Sequence, residues 1–120
     1  METANIKNDL GRIIIADQVI AVLAREAALH TEGIVSMDDR YSHGISSVIS
    51  DEAAEGVHVS VKDDMVVLDL HVCVKYGMRI PAIALQLQKL VKENIYSHTG
   101  INVSEVNINI EQVIFVSDRS

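Results

Sequence analysis

With 120 residues, 48% apolar but only 3% aromatic, the chain suffices for one domain with an aliphatic core and needs no disulfide or metal staple. A formal net charge of -7 disfavours nucleic acid and anionic bilayers as direct partners, because both are recognised by clustered Lys and Arg. One cysteine, Cys73, cannot close an internal disulfide, and no apolar run approaches the roughly 18 residues of a membrane-spanning helix, so a cytoplasmic protein without direct membrane insertion is expected.

Residues 1–10 are polar, lack the basic and apolar regions of a secretory leader, and read as a flexible tail. Gly11 opens a short strand over residues 12–15. From Asp17, which the pattern makes the N-cap, apolar side chains fall at Val19, Ile20, Leu23, Ala24, Ala27 and Ala28. That spacing predicts an amphipathic helix ending near His30. Gly33 introduces an extended stretch over residues 34–37, and residues 38–56 carry turn residues without a sustained period, hence a loop with at most a helical turn near its end.

Residues 57–76 alternate strictly. Val57, Val59 and Val61 face one way, and after Asp63 and Asp64 so do Val66, Leu68, Leu70, Val72 and Val74. A two-residue turn pairs Val61 with Val66, Val59 with Leu68 and Val57 with Leu70, and sets His58 opposite Asp69 on the other face. Gly77 ends the strand, and Pro81 sits where a first helical turn tolerates a missing amide hydrogen. The next helix presents Ile83, Ala84, Leu87, Leu90, Val91 and Ile95 as a stripe and stops at Gly100. A last strand alternates Val106, Ile108 and Ile110 with Asn107, Asn109 and Glu111 and runs to about residue 116. The expected fold is α+β, a two-layer sandwich with order β-α-β-β-β-α-β, two helices on one face of a mixed, mostly antiparallel sheet. One domain spans residues 11–116, with a short tail over residues 117–120.

Chemistry-bearing residues gather on the outward face of the hairpin. Asp69, His71 and Cys73 share that face, with His58 across from Asp69. Their types suit thiol catalysis, but same-face strand neighbours stand roughly 6.5 to 7 Å apart, well beyond hydrogen-bond reach. No catalytic residue is therefore assigned. His58, Asp69, His71 and Cys73 remain the alternative: imidazole, carboxylate and thiolate all ligate zinc, although the tight spacing of a closed site is absent. Met65, Val67, Val113 and Phe115 interrupt the polar pattern of the outer face and form a candidate partner interface if the strands bring them together. The competing expectation is that residues 40–55 fold over them.

The linked segments GRIIIADQVIAVLAREAA, EGIV, GVHVSV, VVLDLHVCVKYGMRIPAIALQLQKLV and TGINVSEVNINI, in this order and spacing, resemble the bacterial alkaline-shock or envelope-stress-response protein family. The resemblance covers nearly the whole chain. It implies a Gram-positive general stress protein with no enzymatic activity and no cofactor. It also implies self-assembly into a homo-oligomer, and partners such as a membrane anchor protein or a fatty-acid kinase. The expected function is thus envelope homeostasis through self-association or protein–protein interaction. The alternative is a small-ligand or metal-binding regulator using His58, Asp69, His71 and Cys73, with a link to fatty-acid metabolism; a third reading, an acyl-chain carrier or sensor, would require an elongated apolar cavity between helices and sheet.

Overall fold

The computed structural model describes residues 3–38 and 55–116. In chain order it contains β1 (Thr3–Asn8), β2 (Gly11–Ala16), α1 (Asp17–Leu29), β3 (Ile34–Met37), β4 (Val57–Lys62), β5 (Met65–Lys75), α2 (Ile80–Thr99) and β6 (Glu105–Ile114). The expected α+β sandwich is present, with one strand added at the front. Most of the predicted loop over residues 38–56, including its helical turn and any cover it gives the sheet, lies outside the described residues.

Strand β5 is the spine. On one side β6 runs parallel to it along most of its length; on the other, β4 pairs antiparallel with Met65 to Leu70 and β3 with Val72 to Val74. The β4–β5 register is the predicted one, including His58 opposite Asp69. It is set by a two-residue turn in which Asp63 and Asp64 both take positive φ, 49° and 66°. Primed turns of this kind match the right-handed twist of the flanking strands, and a short polar side chain tolerates the left-handed backbone.

The inward side chains of β4 and β5 meet the apolar stripes of both helices. Ile20, Leu68, Leu70, Leu87, Val91 and Ile95 are completely buried between the layers. Asn94 pins the two helices together, its Nδ2 donating to the Leu23 carbonyl at 2.8 Å. Gly33 is needed for a close approach: its φ is +96°, and a Cβ there would stand 2.6 Å from Ile83 Cδ1.

Two local expectations are corrected. The N-cap of α1 is Ala16, which makes no side-chain cap; Asp17 is instead the first helical residue, buried, and placed where its charge complements the helix dipole. Residues 3–8 are not a tail. They form β1, paired antiparallel with β2 through all six positions, Thr3 opposite Ala16 down to Asn8 opposite Gly11. Only Ala4 and Ile6 on β1 turn toward the core, too weak an alternation to reveal a strand among Thr3, Asn5 and Lys7. Pairing supplied what pattern lacked. The hairpin forms its own two-stranded sheet, and the molecule is elongated, 55 × 31 × 25 Å.

Candidate functional site

The outer face of β5 and β6 is a ladder of polar side chains. His71 Nδ1 lies 2.7 Å from Glu111 Oε2, both side chains mostly withdrawn from solvent. One step along, Asn107 Nδ2 donates to Asp69 Oδ1 at 3.2 Å, and Asn109 Nδ2 donates to the Leu70 carbonyl at 3.1 Å. These contacts knit the parallel pair on the side away from the helices, and each polar group finds a protein partner rather than an open ligand position.

The four candidate ligands therefore do not converge. His58 is exposed on β4, Asp69 is engaged with Asn107, the His71 Nδ1 faces Glu111, and Cys73 is buried between Ser36 of β3 and Gln112 of β6. Among the described residues, no group of three or more His, Cys, Asp or Glu side chains is gathered that could hold a metal ion. The physical reason is the strand itself. Its repeat of roughly 6.5 to 7 Å along one face separates Asp69, His71 and Cys73 by about twice the distance between donors on one zinc ion.

The candidate interface is also redistributed. Val72 pairs with Ile110 but Cys73 pairs with Gln112, so Glu111 is an extra residue, a β-bulge. Past it the alternation of β6 inverts. Val113 now pairs with Val74 and shares its helix-facing side, whereas Gln112 and Ile114 take the outer side beside Cys73 and Lys75. Met65 and Val67 stand near the β4–β5 turn. Since Val67 pairs with Glu105 and Val113 with Val74, the two halves of the supposed patch are roughly 23 Å apart along the strands. They do not form one surface.

What the bulge assembles instead is an aromatic pair that sequence periodicity misses. Tyr76 and Phe115 stack with ring centroids 4.3 Å apart, inclined at 26°, and remain 59% and 76% exposed. Val113 and Val116 extend this apolar end of the sheet. Tyr76 is held there by its backbone N–H, which donates to the Ile114 carbonyl at 2.8 Å. The signal was a Tyr at the end of one strand and a Phe at the end of the other, but it becomes legible only once the register of the two strands is known.

Comparison with known proteins identifies the family. Residues 5–115 match the family model of the alkaline-shock protein 23 family, described as having a cell envelope-related function. The chain belongs to that family. It is 29% identical over 107 residues to YqhY, an uncharacterised protein of Bacillus subtilis, covering 88% of this chain and 79% of that one. It is 30% identical over 111 residues to YloU of the same organism, covering 90% and 92%. A Streptococcus pyogenes protein named a stress response regulator gls24 homolog is 23% identical over 105 residues, 86% of this chain but only 59% of its own length. No solved structure matches. Among the described residues, no helix is long and apolar enough to cross a membrane. Family membership thus agrees with the resemblance read from the linked sequence segments.

Proposed function

We propose that this protein is a non-enzymatic component of the envelope stress response that acts by self-association or by holding a partner protein. The observation that carries this reading is the exposed Tyr76–Phe115 stack. The chain has one phenylalanine and three tyrosines, and among the described residues Phe115, Tyr76 and Tyr96 are all on the surface around an aliphatic core, with Tyr76 and Phe115 brought together as a stack. Aromatic side chains carry the largest apolar area per residue and are favoured as interface anchors, so a stacked exposed pair flanked by Val113 and Val116 suits contact with another chain. The family description and the stress-regulator name of a relative support the biological setting. The reading places the protein in the cytoplasm and routes any membrane association through another protein, such as an anchor, with a fatty-acid kinase as a further partner to test.

Sedimentation velocity over a dilution series, together with crosslinking and recovery from cells, tests this. Phe115→Ser is expected to weaken association or partner recovery about tenfold, as loss of an aromatic anchor does. Monomers at every concentration with no partner recovered would remove the proposal, and unchanged behaviour of the Phe115 variant would remove the aromatic pair as its contact.

A further inference from the structure

The β1–β2 hairpin is an arm of opposite character to the body that carries it. With Lys7 and Arg12 against Asp9, residues 3–16 hold a formal charge of +1 in a chain of -7, so everything else sums to -8. Register places Lys7 directly opposite Arg12, and Asn5 opposite Ile14, on one face of the ribbon; Ala4 and Ile15 on the other face seat the arm on the core. Like charges facing each other across a ladder destabilise it unless an anion intervenes. Among the described residues neither Lys7 nor Arg12 is engaged in an ion pair. Next to this cationic pair stands Ile14, 56% exposed, and the turn carries Leu10, 98% exposed. A two-stranded ribbon by itself is marginally stable in water, so the arm's free face calls for a cover.

The complementary surface lies on the helices. Between α1 and α2 runs an open groove of about 480 Å³ lined by Glu26 and Glu93 together with Ala27, Leu90 and His30, the His30 Nδ1 lying 3.5 Å from one oxygen of the exposed Glu26 carboxylate. No residue of the arm lines this groove within the same chain, and the α2 cations Lys89 and Lys92 line a separate depression against β6. We propose that the arm of one copy docks in the interhelical groove of a second copy, Lys7 and Arg12 meeting Glu26 and Glu93 while Ile14 enters over Leu90. An anionic bilayer would attract Lys7 and Arg12 as well but would repel the acidic body, whereas a second copy offers acidity where the arm arrives. Arm and groove are different surfaces, so the contact is head-to-tail and propagates into chains of molecules rather than closing as a twofold dimer.

This inference rests on the self-association part of the proposed function, and a charge-swap series separates the two. Light scattering and sedimentation are measured on the full chain, on the arm variant Lys7→Glu/Arg12→Glu, on the groove variant Glu26→Lys/Glu93→Lys, on an equimolar mixture of both, and on the chain carrying all four changes. Each pair alone should weaken association about tenfold or more, and the wild-type association should fall with added salt. The mixture and the fourfold variant should recover it, which a merely misfolded variant could not do. Wild-type chains that associate while the arm variant matches them would overturn the arm and leave self-association standing; monomeric wild-type chains would overturn both. Variants that fail to rescue one another overturn the pairing. Arm-dependent sedimentation with phosphatidylglycerol vesicles, without effect on self-association, would overturn it in favour of a lipid surface.

Discussion

The His71 imidazole and the Glu111 carboxylate meet at 2.7 Å across two parallel strands, 40 residues apart in the chain, and Glu111 is the bulged residue of β6. The contact and the bulge belong together. An extra residue at this point keeps Glu111 beside His71 and at the same stroke turns Val113 from the outer face to the helix-facing side, at the end of the sheet where the aromatic stack forms. Removing the carboxylate takes the Glu111 contact from a mostly buried imidazole. Glu111→Ala should cost about 1 to 3 kcal/mol in urea unfolding, and a double-mutant cycle with His71→Ala should show that the two losses are not additive.

Gly33 answers to two constraints at once, its positive φ and the Ile83 side chain against its Cα. Gly33→Ala should destabilise by about 2 kcal/mol or more, beyond what either strain or contact alone would give. Thermal denaturation followed by circular dichroism reads the shift. Gly77, which also has positive φ but meets nothing within 4 Å, should suffer less from the same change.

Leu87 stands on α2 at the centre of the interlayer core, with no exposed surface. Truncation to alanine opens a cavity that surrounding aliphatic side chains only partly fill. A loss of about 2 to 5 kcal/mol is expected for Leu87→Ala in equilibrium denaturation. The exposed Leu85 on the same helix should tolerate the same change within about 0.5 kcal/mol.

The β4–β5 turn is built from two aspartates in the left-handed region. An asparagine followed by a glycine is the preferred pair for a primed turn, because glycine takes positive φ without steric cost and asparagine tolerates it better than most residues. The double change Asp63→Asn and Asp64→Gly should therefore stabilise by about 0.5 to 1 kcal/mol, measured as a raised denaturation midpoint at unchanged slope. A lowered midpoint would show that the two carboxylates contribute something the turn geometry does not explain.

Local pattern carried the reading a long way at particular places. The alternation through Val57 to Val74 with its two-residue turn fixed the β4–β5 register, because a slip by one position would turn every valine to the wrong face. The 3.6-residue stripes and the stops at His30 and Gly100 located both helices. At the outer face the pattern misled: counting by twos put Val113 and Phe115 on the same face as Met65 and Val67, and one unpaired residue undid the count.

By itself, then, the sequence determined the helices, the hairpin and its register, the aliphatic core and the family, since each depends on interactions between residues near in the chain or on segments recognisable in order. Only the tertiary structure decided that residues 3–8 are a strand, that His58, Asp69, His71 and Cys73 do not gather into one metal-holding group, and that Tyr76 stacks on Phe115. Those outcomes turn on pairing partners and on a bulge between β5 and β6, strands joined through the whole of α2. A parallel register is set by how distant side chains pack across two layers, and no period within either strand encodes it.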